Sequence, residues 1–129
     1  MKPLSFRILL AAQVIWELLR YDLLSATSGF RGVHSRSRRV TGHRPKGSDL
    51  ESIVPRMVGA AISFYWKPVL CLQRSVVMVR VLRKHGINAE VVIGCRSAPF
   101  VGHAWVEVHG RVVNDSPGYQ QKLCVLDRF

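Results

Sequence analysis

The sequence predicts an α+β domain: helices first, then a small antiparallel sheet for them to pack on. Two patterns carry that expectation. Up to Lys84 the apolar residues recur at helical spacing, as in Leu10, Val14 and Leu18, or in Val76, Val79 and Leu82. From Ala89 onward they form short runs split by glycines, including the alternating stretch His103-Ala104-Trp105-Val106-Glu107-Val108. With 129 residues, 48% of them hydrophobic, the chain can bury one core of ordinary size without staples.

The first element is expected to be an amphipathic helix over roughly residues 4 to 25, with Leu10, Val14, Leu18 and Tyr21 on one stripe. Met1-Lys2 and the run from Ile8 to Ala12 imitate the start of a secretory signal. Gln13 and Glu17 interrupt that run, and no small-residue cleavage site follows. Glu17, Arg20 and Asp22 also exclude a bilayer span, which needs about 20 mostly apolar residues. Covering a core is the expected role, and lying on a membrane surface is the lesser one.

Residues 26–48 carry Arg31, Arg36, Arg38, Arg39, Arg44 and Lys46 with no acidic residue before Asp49. Serines and glycines punctuate the run, which reads as an exposed basic loop. The expected division is an N-terminal helix and basic loop over 1–48 and a core over 49–129, joined in one compact domain. The net charge of +11 predicts attraction to acidic partners. Nucleic acid is not expected, because no nucleic-acid fold signature accompanies the charge. The three cysteines lack CxxC spacing, so neither a disulfide framework nor a zinc ribbon is indicated; a reducing cytoplasm is the expected setting. No metal is expected, since His34, His43, His85 and His109 have no companion ligands at metal spacing.

A second helix is expected from Ser52, with Pro55 in its first turn and Ile53, Met57, Ala60, Ala61 and Phe64 along it. Pro68 ends that region, because the residue before a proline is pushed out of helical geometry. Cys71 then opens an apolar helical run that stops at Gly86. The unpaired N–H groups and dipole of a helix N-terminus favour a thiolate, the form in which cysteine is a nucleophile. A cysteine taken alone is usually a buried structural residue, and Cys95 and Cys124 keep that reading. Cys71 differs because His103 and Asp115 follow it, in the order that supplies a nucleophile, a base and an orienting carboxylate.

Residues 89–94, 101–108 and 111–114 are expected as strands. The turn at His109-Gly110 sets their register. A two-residue loop would oppose Val108 to Arg111 and send Asp115 to the sheet face opposite His103. A three-residue loop over 108–110, with Gly110 in a G1 bulge, would instead oppose Glu107 to Arg111, Trp105 to Val113 and His103 to Asp115. The second register is favoured: it gives Glu107 a cationic cross-strand partner and lets Asp115 accept a hydrogen bond from the His103 ring.

Cys71-Leu72-Gln73-Arg74-Ser75, Gly86-Ile87, Val92-Ile93-Gly94 and the run Phe100-Val101-Gly102-His103-Ala104-Trp105-Val106-Glu107-Val108 resemble the transglutaminase-like leader peptidases of lasso-peptide biosynthesis. The resemblance covers Trp66 to about Phe129. It implies a papain/transglutaminase-like α+β fold and a cysteine protease with Cys71, His103 and Asp115 as catalytic triad. The implied task is removal of the leader from a ribosomally synthesised precursor peptide, so that a separate cyclase can close the macrolactam. The implied partners are the precursor, a leader-recognition protein expected as a separate chain, and the cyclase. ATP dependence is associated with some members of the family; this sequence has no Walker-type glycine loop, and no cofactor is expected in the chain.

In the expected chemistry the Cys71 backbone N–H stabilises the oxyanion, with Trp66 and Gln73 as candidates for the second donor. Trp105 is expected to pack beside the site. Two other classes of function remain open at this level. One keeps the triad and transfers the acyl group to an amine, as transglutaminases do. The other is a non-catalytic basic module binding an acidic peptide or nucleic acid through Arg31 to Lys46.

Overall fold

The computed structural model describes residues 3–37, 50–97, 100–113 and 123–129. Three helices, α1 (Leu4–Ser37), α2 (Leu50–Ser63) and α3 (Cys71–Lys84), precede four strands, β1 (Ala89–Ser97), β2 (Phe100–Val108), β3 (Arg111–Val112) and β4 (Cys124–Arg128). The strands form one antiparallel sheet in the order β3-β2-β1-β4. The α+β expectation therefore holds, with the helices gathered on the sheet.

Alternation along the strands sorts the two faces. Ala89, Val91, Val106 and Val108 join Leu10, Val14, Leu18, Val54, Val58 and the valines of α3 in the main core. Their neighbours Val92 and Trp105 point the other way and make a smaller cluster with Leu123. Helix α3 is the centre of the molecule, buried nearly all round from Gln73 to Arg83. Its many β-branched valines give it little intrinsic helicity, so burial stabilises it.

Helix α1 runs antiparallel to α3. Leu18 and Asp22 meet Gln73 near the start of α3, whereas Glu17 meets Arg80 and Lys84, and Gln13 meets His85 at its end. Glu17 is 1% exposed and holds Arg80 Nε at 2.7 Å and Lys84 Nζ at 2.6 Å. Burial alone would raise its pKa, but the hydrogen bonds and charges of Lys84 and Arg80 bring it below the ordinary carboxylate value. On the other side of α1, Leu4, Ile8, Leu9, Trp16, Leu19 and Leu23 are exposed. Among the described residues no helix is long and apolar enough to cross a membrane.

Three expectations require correction. The basic loop does not begin at residue 26, because α1 continues to Ser37. Arginine is a good helix former and no proline intervenes before Pro45; Thr27 Oγ1 returns its hydrogen to the Leu23 carbonyl at 2.8 Å, as helical threonines do. Residues 38–48 of the proposed loop lie outside the described residues. Helix α2 starts at Leu50, two residues early, so Pro55 sits beyond its first turn.

The third correction concerns register. Val108 pairs with Arg111 and Glu107 with Val112, across a two-residue turn in which His109 (φ 52°) and Gly110 (φ 75°) are both left-handed. That is the geometry of a type I′ turn, whose twist matches the flanking strands. The three-residue loop is not formed. Arg111 consequently shares the helix-facing side with Val108, and its guanidinium pairs with Glu51 on α2 instead of Glu107. β4 also lies where no strand was expected; its pairing with β1 shifts register between Ile93 and Gly94, and its residues do not alternate in burial.

Glu17→Gln should destabilise the fold by about 3 kcal/mol at neutral pH, since two cations would lose their buried counter-charge. Because the folded-state pKa lies below the unfolded value, this contribution is complete above about pH 4.5 and fades as pH falls through the folded value. Urea denaturation of both proteins from pH 7 to pH 3 should show the gap narrowing with acid.

Candidate active site

Cys71 is the first residue of α3, and Leu70 is its N-cap, with extended backbone (φ −82°, ψ 168°). A leucine offers no side-chain acceptor, and the first turn holds no acidic residue. The N-terminal amides of α3 are thus not neutralised by a capping side chain, which leaves their partial positive charge for an anion such as a thiolate or an oxyanion. Cys71 is half-buried, and Leu70 beside it is 74% exposed, so the helix start opens toward solvent.

A polar hub fixes the chain on both sides of Cys71. Asp22 of α1 receives the Tyr65 hydroxyl, Gln73 Nε2 at 3.1 Å and Lys67 Nζ at 2.5 Å. Tyr65 and Lys67 come from the connector before α3, and Gln73 from its first turn. One carboxylate therefore ties connector and helix start to α1. Burial and the hydrogen bond to Asp22 push the Tyr65 hydroxyl up to about 12. Burial likewise raises Tyr21, with the negative charges of the Asp22 carboxylate and of an ionised Cys71 adding to the effect. The hub went unseen in the sequence because Asp22 lies more than 40 residues from Tyr65 and nothing local marks the pairing.

Gln73 is removed from the oxyanion-donor candidates. Its side chain is 5% exposed, and Nε2 is already committed to Asp22 and to the Leu18 carbonyl at 3.3 Å. Trp66 is exposed, with its ring tilted against Tyr65 at 6.0 Å.

His103 stands on β2 opposite Gly94 of β1, half-buried. Regular pairing along β1 and β2 puts His103, Trp105 and Glu107 on one sheet face, and Ala104, Val106 and Val108 on the face toward the helices. Arg83 Nε donates to the Ala89 carbonyl at 2.9 Å, which sets the end of α3 beside the start of β1. Fourteen helical residues rise about 20 Å, the length of about six strand residues. The start of α3 is thus level with the far end of β1 and the opening residues of β2. Cys71 and His103 belong to the same end of the molecule, and the imidazole emerges on the face away from the apolar side of α3.

The indole of Trp105 stacks with the His103 ring at 6.1 Å and 24°. A Cβ added at Gly94 would come 2.8 Å from Trp105 Cη2 and 3.2 Å from the Cys124 carbonyl. A glycine inside a strand signals such close approach in a sequence, and Gly94 is one. Asp115 lies outside the described residues. The register expected to carry it to His103 is not formed, and among the described residues the ladder beyond Arg111–Val112 continues in the hydrogen bond from Val113 N–H to the Val106 carbonyl at 3.1 Å. Among the described residues no three His, Cys, Asp or Glu side chains cluster as metal ligands would.

The family model of the transglutaminase-like superfamily matches residues 15–127. The microcin J25-processing protein McjB of Escherichia coli is 46% identical over 56 residues, a stretch that is 43% of this chain and 27% of that protein. The match therefore spans only about a quarter of the relative's length. No solved structure matches the chain.

Gly94→Ala should push the Trp105 ring off the strand and cost about 1–3 kcal/mol, the usual penalty of overpacking a filled site. Urea denaturation measures the loss. Its near-ultraviolet dichroism should change with it, since the displaced ring is a buried tryptophan.

Proposed function

The chain belongs to the transglutaminase-like superfamily, and from that premise we propose that it is a cysteine peptidase removing the leader from a lasso-peptide precursor. The observation that carries the reading is Cys71 at an uncapped, half-buried helix start; the length of α3 makes that start level with the first half of β2, where His103 stands. The likeness to a microcin-processing protein supplies the substrate class.

In the proposed reaction the Cys71 thiolate attacks the carbonyl carbon of the leader–core amide. The Cys71 N–H donates to the oxyanion. His103 gives its proton to the departing nitrogen as the C–N bond breaks, leaving the leader as a thioester on Cys71. Water then attacks that carbonyl while His103 takes its proton, and the thiolate leaves. Asp115 is assigned the role of orienting the imidazole on the family resemblance alone, since the register observed at Val108–Arg111 does not oppose it to His103. The face on which His103 emerges sets one condition: sulfur and imidazole meet around the end of the sheet, because the space between α3 and the sheet is filled by core residues.

A separate leader-recognition protein, the precursor and the cyclase are the proposed partners, and the cytoplasm the proposed location. Neither a metal nor a nucleotide enters any step. Transfer of the acyl group to an amine would use the same thioester, so added amine with mass analysis of the products separates the two outcomes.

Mass spectrometry of a candidate precursor, incubated with this chain and the recognition protein, tests the reading. Cys71→Ala and His103→Ala should abolish leader release while thermal unfolding stays cooperative, and Asp115→Asn should slow it. Cys95→Ser and Cys124→Ser should leave it intact. Undiminished release by Cys71→Ala would remove the mechanism.

A further inference from the structure

We propose that Glu107 is a positioning residue for the His103 imidazole, acting through the indole of Trp105. The inference rests on the peptidase reading above, because it assigns a purpose to holding that ring.

Three side chains two residues apart, His103, Trp105 and Glu107, form a row on one face of β2. The middle one is fixed on every side. Trp105 is 1% exposed, its ring edge lies over Gly94 with no room for a Cβ, and Val92 and Leu123 pack with it. Its Nε1–H donates to Glu107 Oε2 at 2.8 Å. The other oxygen of Glu107 receives Arg128 Nη1 at 3.2 Å. Arg128 belongs to β4, two strands away, and reaches over β1, where it also meets Glu90 at 3.5 Å. A salt bridge this exposed on its cationic side contributes little stability by itself. Its effect is geometric: it stops the Glu107 carboxylate from swinging away from the indole.

The consequence reaches His103. An indole pinned by its N–H can neither slide along the strand nor flip. The imidazole stacked on it at 6.1 Å and 24° therefore loses most of its freedom about its outer torsion. A general base must keep its nitrogen aimed within a narrow tolerance, and small misplacements carry large rate penalties. Glu107 touches neither thiol nor substrate. It sets the plane on which the base rests.

The test uses protein carrying Cys95→Ser and Cys124→Ser, so that iodoacetamide reports Cys71 alone, with NMR of the His103 ring alongside. Glu107→Ala should slow alkylation at pH 7 by about tenfold. It should also shrink the upfield displacement that the indole ring current gives His103 Hε1. Glu107→Gln keeps an acceptor for the indole N–H and should restore both readouts to within about twofold of the parent. In a Trp105→Phe background, which has no N–H to hold, Glu107→Ala should add nothing further. Additive losses in that pair, or an unmoved His103 signal in Glu107→Ala, overturn the inference. If His103→Ala alkylates as fast as the parent, the peptidase reading fails instead, and the His103 signal still decides whether Glu107 orders the ring.

Discussion

Glu17 is the constraint on which the arrangement depends. A carboxylate buried in the seam between α1 and α3 would be costly alone; here Arg80 and Lys84 from α3 neutralise it, with Arg20 of α1 at 3.6 Å. The pair fixes both the direction and the axial position of α1 on α3. Once Glu17 is docked at the far end of α3, Asp22 falls beside its beginning, where it gathers Tyr65, Lys67 and Gln73. An ion cluster whose cations stand about 14 to 20 Å along α3 from Cys71 thus determines where the connector before Cys71 is tied down.

The fold uses its small sheet in two ways. One face is apolar and accepts the helices, which supplies stability. The other carries His103 and Glu107, half-buried, on either side of the buried Trp105, and to it the proposed chemistry is assigned. The same alternation of side chains that makes β2 half a core element makes it half a functional one. Gly94 belongs to both uses, since its missing side chain lets the edge of the indole approach β1 closely.

Much of this was legible in the residues. The change from helical spacing to alternation marked the α+β division, and Pro68 followed by an apolar run marked Cys71 as a helix opening. The motif around Cys71 and His103 pointed to the family that the comparisons then showed. What failed depended on choices with nearly equal local energies. His109-Gly110 suits either loop length, and the type I′ turn prevailed by letting Arg111 reach Glu51, a partner 60 residues away. Residues 26–37 are polar and glycine-containing enough to read as loop, yet no proline interrupts the helix there. Gln73 looked free to serve an oxyanion until burial and Asp22 claimed its amide. The misses at the turn and at Gln73 turned on contacts distant in sequence, which periodicity does not report.

The claim that Cys71 forms a thioester with the leader is best tested by trapping it. The chain, a precursor and the recognition protein would be mixed, quenched in acid within seconds and digested for mass spectrometry. The account predicts a peptide bearing Cys71 with the leader attached through its C-terminal carbonyl, released by hydroxylamine. Free leader accumulating with the Cys71 peptide never modified, or the acyl group found on Cys95 or Cys124, would contradict it.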